Sequence, residues 1–153
     1  MNQIRPIAIC VFRHKDLILV AEGYDPVKDQ YFYRPLGGGI EFGETGAETI
    51  CREMMEELNV EVDPESLEYL GAVENIFHFN GNAGHEIVMI YDGILKESGW
   101  YEQAVMQGKE ANGEYIRAVW KNLHQFGEGK SILYPTGLVE MLNARAAHDL
   151  EGR

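Results

Sequence analysis

Glu53, Glu56 and Glu57 stand at i, i+3 and i+4 in a stretch with helical spacing, so three carboxylates crowd one side of a single helix. They must repel one another, and something cationic has to compensate. Magnesium or manganese takes hard oxygen ligands and would also bridge such a cluster to a diphosphate. Arg52 comes just before the first glutamate; its fixed fork suits an orienting partner that holds a carboxylate in one rotamer better than a substrate contact. Upstream, Gly37, Gly38 and Gly39 lack the Cβ atoms that would keep backbone N–H groups away from a phosphate oxygen. Glu44 lies just before the helix, where the N-terminal dipole favours a carboxylate that could instead accept backbone N–H bonds. Taken singly, the glycines read as a turn and the glutamates as a solvated helix face. Their mutual spacing is what turns the reading toward metal and phosphate.

The elements that must position these groups are legible in outline. Thr45-x-x-Glu48 has the form of a capping box, and Ala47, Cys51, Met54 and Leu58 then make an apolar stripe that leaves the glutamates toward solvent. Residues 6–12 and 17–22 read as two strands joined by a polar turn, 23–30 as a polar loop, and Tyr31 to Tyr33 as a short aromatic strand leading to the glycines. Residues 67–79 and 85–95 read as a second hairpin about a turn at 80–84. Residues 96–113 show no clear pattern, 115–120 reads as a last strand, and 136–147 as a closing helix with Leu138, Met141, Leu142 and Ala146 on its covered face. The order predicts a mixed sheet covered by helices.

Composition limits the rest. A chain of 153 residues, 45% hydrophobic, can bury one sizeable core and is short for two domains. A net charge of −12 argues against nucleic acid as a partner, since such binding relies on clustered Lys and Arg. No long apolar run or leader pattern marks a membrane or export route, so a cytoplasmic protein is expected. Cys10 and Cys51 read as reduced thiols rather than a disulfide.

Written as G-x5-E-x7-R-E-U-x-E-E-x-G-U, with U a bulky apolar residue, the signature of the Nudix hydrolases maps onto Gly38, Glu44, Arg52, Glu53, Met54, Glu56, Glu57 and Val60. One fixed position departs. Asn59 replaces the final glycine, and asparagine is the next most tolerant residue of the left-handed conformation that ends a helix. The chain thus resembles a MutT-like pyrophosphohydrolase of nucleoside diphosphate derivatives. The resemblance implies an α/β class, an α/β/α sandwich with a mixed β-sheet and a loop-helix-loop motif, as one domain over residues 1–153 with its box at 38–60. It further implies divalent-metal-dependent hydrolysis of a pyrophosphate bond, magnesium being the expected ion and manganese the substitute. Glu53, Glu56 and Glu57 are then metal ligands, and Glu53 or a glutamate outside the box takes the proton from water. Glu44 and Arg52 belong to the site.

Outside the box, Glu114 is the expected extra ligand or base, because Nudix chains often place an acid shortly before a strand ending in an apolar-Trp pair, here Val119-Trp120; Glu110 competes for that role. Arg34 could reach a substrate phosphate with Gly37, Gly38 and Gly39, or form a surface ion pair. His78 and His85 read as strand or turn residues, and Phe77, Phe79, Tyr91 and Trp120 as core in preference to base-stacking. Asn75 to His78 occupy the region where related ADP-ribose and dinucleoside polyphosphate hydrolases carry a proline or a tyrosine, and neither is present. By subtraction a nucleoside triphosphate or small nucleotide derivative leads. An ADP-ribose or nucleotide-sugar pyrophosphatase, and a silent nucleotide or metabolite sensor, remain as alternatives. A homodimer is compatible with all of these.

Overall fold

The computed structural model describes residues 2–127 and 131–151, with the side chains of 127 and 146–151 outside the described set. The central strand is β1 (Ile4–His14), buried from Ile7 to Phe12. A strand covered on both faces needs an unbroken apolar run, and Ile-Ala-Ile-Cys-Val-Phe supplies it. Its odd and even residues enter two separate cores. Ala8, Cys10 and Phe12 join Ile50, Met54 and Leu58 of helix α1 (Gly46–Leu58), while Ile7, Ile9 and Val11 join Leu138 and Leu142 of helix α3 (Leu138–Glu151). Helices on both faces of mixed sheets make this an α/β/α sandwich.

Strand β1 feeds two sheets. Ile4 to Phe12 pair parallel with β6 (Asn82–Gly93), beyond which lies β5 (Glu68–Phe79), and Ile7 to Cys10 pair antiparallel with β4 (Leu36–Gly39). The end of β1 turns into β2 (Leu17–Asp25), which lies between β3 (Gln30–Arg34) and β8 (Tyr115–Asn122). Strand β7 (Val105–Lys109) pairs with β8, and β9 (Ile132–Leu133) with β3. A short helix, α2 (Leu123–Gly127), follows β8.

Several boundaries move from expectation. The loop proposed at 23–30 shortens, because Gly23, Tyr24 and Asp25 continue β2 opposite Phe32, Tyr31 and Gln30. The second hairpin turns on Asn80 and Gly81 alone, both at positive φ, instead of on five residues. The glycine run is not a free loop but strand β4, with Gly37, Gly38 and Gly39 opposite Ile9, Ala8 and Ile7. Ile50 and Thr49, absent from the expected stripe, are buried on α1, whereas Ala47 and Cys51 are half-buried. The placement of the Ala146 side chain lies outside the described residues.

Candidate active site

Helix α1 is set by its ends. Thr45 accepts from the Glu48 N–H, and the Glu48 side chain accepts from the Thr45 N–H, completing the reciprocal cap. Asn59 ends the helix at φ 57°, ψ 40°, the left-handed geometry that its amide side chain tolerates. Gly46 lets the first turn sit against Tyr91 of β6, where a Cβ would stand 2.6 Å from the phenolic oxygen. The rotation of the helix about its axis is thereby fixed. Met54 goes into the core, while Glu53 and Glu57 face a cavity of about 760 Å³.

Arg52 is the organiser of that wall. Its Nε and Nη2 donate to the two oxygens of Glu44 at 2.8 and 3.0 Å, Nη2 also donates to the Gly39 carbonyl at 3.1 Å, and Nη1 donates to Glu53 at 3.0 Å and Glu56 at 3.2 Å. One side chain thus ties the strand, the loop and the helix together, a task for which the planar fork is suited and an ammonium is not. Glu44 also accepts from the Thr49 hydroxyl at 2.6 Å and the Glu41 N–H at 3.2 Å. Hydrogen bonds from Arg52 and Thr49 hold its carboxyl down, at about 2 instead of 4.5. A lowered folded value stabilises the fold above the unfolded pKa, and that stability is lost as pH falls from about 4.5 toward about 2. Glu44→Gln should therefore melt below the parent at neutral pH, with the gap closing across that window. A gap that stays constant into acid would refute the assignment.

The opposite situation holds at Glu57. Burial first, then its hydrogen bond with Glu53 and the charges of Glu53 and Glu110, push its carboxyl up to about 9, with Arg34 pulling the other way. Negative charge is thus disfavoured where Glu57 meets Glu53 and Glu110, a repulsion that a divalent cation would relieve. The donor set is all hard oxygen, so the residues fit magnesium or manganese. Among the described residues no three acidic, His or Cys side chains are already gathered round one point, so the carboxylates would have to close on the ion.

The structure brings Gly37, Gly38, Gly39, Arg34, Arg52, Glu53, Glu56 and Glu57 to the wall of one cavity, and adds Arg5, Lys109 and Glu110. Contrary to the expected stripe geometry, Glu53 and Glu57 are half-buried and only Glu56 stands out in solvent. Gly38 makes room for an acid: a Cβ there would lie 2.6 and 2.8 Å from the carboxylate oxygens of Glu53. Glu114 does not reach the cavity. Its side chain is exposed in the β7–β8 turn, where its carbonyl accepts from the Glu110 N–H at 2.8 Å, and it is Glu110 that lines the site. Strand β7 carries Glu110 there because Gly108 lets its backbone run against the Glu57 carbonyl. The Trp120 indole donates to the Gln103 carbonyl and stacks on Tyr101, and Tyr91 is buried, so both are structural.

A family model described as NUDIX domain matches residues 2–137. Among solved structures, the fold is similar to a NUDIX hydrolase from Nitrosomonas europaea, with TM-score 0.65 and 15% identity over 95% of this chain and 90% of that one. It is also similar to the E. coli ORF135 protein, with TM-score 0.59 and 21% identity over 95% and 94%. A protein described as an ADP compounds hydrolase has TM-score 0.61 and 14% identity over 97% and 76%. No curated protein sequence matches the chain.

Proposed function

The chain belongs to the NUDIX family and is a pyrophosphohydrolase, and from that premise we propose that it cleaves nucleoside triphosphates or small nucleotide derivatives with the help of a divalent metal ion, residues 1–153 acting as one domain. The observation that carries the reading is the convergence of Glu53, Glu56, Glu57 and Glu110 with Arg34 and Gly37 to Gly39 on one cavity. Those four glutamates would hold magnesium, or manganese in its place. When bound, the ion quenches charge on the phosphate oxygens and supports the leaving phosphate.

The chain's own groups do the remaining work. Arg52 holds Glu53 and Glu56 in place through its two Nη1 contacts and is itself locked by Glu44, so the acidic wall is organised before substrate arrives. A carboxylate oxygen of Glu53 or Glu110 accepts the proton of the attacking water. Arg34, beside the acidic wall, donates to substrate oxygens. Unpaired Cys10 and Cys51 agree with a reducing compartment, the cytoplasm in this reading.

Nucleoside triphosphates, nucleotide sugars, ADP-ribose and dinucleoside polyphosphates, each incubated with magnesium and resolved by product, test the reading. Cleavage of a triphosphate to monophosphate and pyrophosphate is the expected result. Preferential cleavage of ADP-ribose or a nucleotide sugar would move the substrate class, in line with the ADP-compound activity ascribed to one structural neighbour. No cleavage of any member would remove the proposal. Glu110→Gln should lower kcat by roughly a hundredfold if it is base or ligand, and Glu114→Gln by less than about threefold. The reverse order would return the role to Glu114.

A further inference from the structure

On the same cavity, Arg5 of β1 and Arg34 of β3 come together from different sheets, and a buried carboxylate stands behind them. Glu86 is opposite Arg5 in the parallel β1–β6 register, its side chain 5% exposed, with Oε2 at 3.9 Å from Arg5 Nη1 and 4.0 Å from Arg34 Nη1. Burying a carboxylate is costly without partners, so its retention on the core face beside Val88 and Ile90 calls for a reason. Asn75, its cross-strand neighbour on β5, donates from Nδ2 to Glu86 Oε1 at 3.4 Å. The orientation of that amide is settled by the Thr136 N–H, which donates to Asn75 Oδ1 at 3.2 Å.

The two arginine contacts are too long for hydrogen bonds, so Glu86 steers both forks without consuming their donors. Arg52 is the contrast, since its fork is spent on Glu44, Glu53, Glu56 and the Gly39 carbonyl. Arg5 and Arg34 form no other ion pair among the described residues, and their side chains are 62% and 39% exposed. Two guanidiniums against one carboxylate leave net positive charge in a cavity that Glu53, Glu56, Glu57 and Glu110 also line. Planar forks with free donors recognise paired acceptors.

We propose that Glu86 is a positioning residue that aims Arg5 and Arg34 into the cavity, where their forks receive paired acceptors on the part of the substrate that the acidic helix does not hold. Paired acceptors of this kind occur as two oxygens on a terminal phosphoryl group and as O6 with N7 on the edge of guanine. The inference rests on the hydrolase reading above, and it names which end of the substrate is sorted and by what.

Two substrate series separate the sources: one nucleoside carrying a diphosphate, a triphosphate or a sugar-capped diphosphate, and one triphosphate carrying each of four bases. Glu86→Gln, the same size without the charge, should raise KM for the best substrate by about tenfold to a hundredfold, the loss falling on KM more than on kcat. Arg34→Lys, which keeps the charge but loses the fork, should do the same, and Glu86→Asp should restore part of it. Discrimination should flatten along the phosphate series or along the base series, and that identifies the acceptor. Parent-like KM and discrimination in both series, or a fall in kcat alone, would overturn the proposal. Should Glu86→Gln fail to fold, Arg5→Lys and Arg34→Lys carry the test, unchanged KM in both refuting it. If the parent hydrolyses nothing, the hydrolase reading fails, and calorimetric binding of α,β-methylene triphosphates decides the inference: Glu86→Gln must weaken Kd by a similar factor, and equal Kd sinks it.

Discussion

Glu57→Gln is expected to cut kcat by roughly a hundredfold or more at saturating magnesium while leaving the fold at least as stable as the parent's. The two halves of this result have one cause. Glu57 is half-buried against Glu53 and within reach of the charge of Glu110, and the crowding pushes its carboxyl up to about 9. A neutral amide of the same size removes that repulsion and can donate to Glu53, so the folded state loses nothing by the exchange. The same amide is a poorer ligand for a hard divalent ion than a carboxylate. Stability given up for function is the usual pattern at a working site. Thermal melts alongside magnesium titrations of the rate make the check. A parent-like kcat would remove Glu57 from the metal site, and a large fall in melting temperature would mean the residue serves the fold.

Much of the acidic wall was legible because a helix is a local object. Spacing places Glu53, Glu56 and Glu57 on one side, Thr45 and Glu48 mark the start, and Asn59 marks the end, all within fifteen residues. What spacing could not supply was the rotation of that helix against the sheets, which comes from Gly46 against Tyr91 and from Ile50 and Met54 in the core. The glutamates consequently face a cavity where the stripe alone put them in solvent. Strand β7 escaped because Val-Met-Gln-Gly-Lys carries little alternation and a glycine at its fourth position. With β7 unread, the place of Glu114 just before the strand that ends in Val119-Trp120 favours it over Glu110, and nothing in the sequence shows that the turn leaves it outside the cavity.

The cationic pair was hidden for a different reason. Arg5, Arg34 and Glu86 are far apart in the chain, and only the parallel β1–β6 register and the meeting of two sheets bring them together. One signal was nonetheless present. Glu86, Val88 and Ile90 alternate along one face of a strand, so a charged residue stands at a core-facing position. A residue that breaks the local pattern in this way marks a place where function or strain overrides packing.

The glycine run offers the sharpest separation of fold from chemistry, since its neighbours differ. Alanine at Gly37 would drive a methyl group into the Ala8 carbonyl and to 2.7 Å from the Ile9 Cα, both backbone of the central strand. Neither can yield without parting β4 from β1, so Gly37→Ala should cost roughly 3 kcal/mol or more, a large share of what a domain of this size has. Alanine at Gly38 first meets the carboxylate of Glu53, the far end of a flexible side chain that can swing aside. Gly38→Ala should therefore fold with about the parent's stability and lose activity by roughly a hundredfold, because Glu53 leaves its 3.0 Å contact with Arg52 and its place beside Glu57. Urea denaturation and initial rates on both variants distinguish the two failures. If Gly38→Ala kept full activity, Glu53 would not need its present position. If Gly37→Ala were the stable one, the β1–β4 contact would not be the close approach that excludes a side chain there.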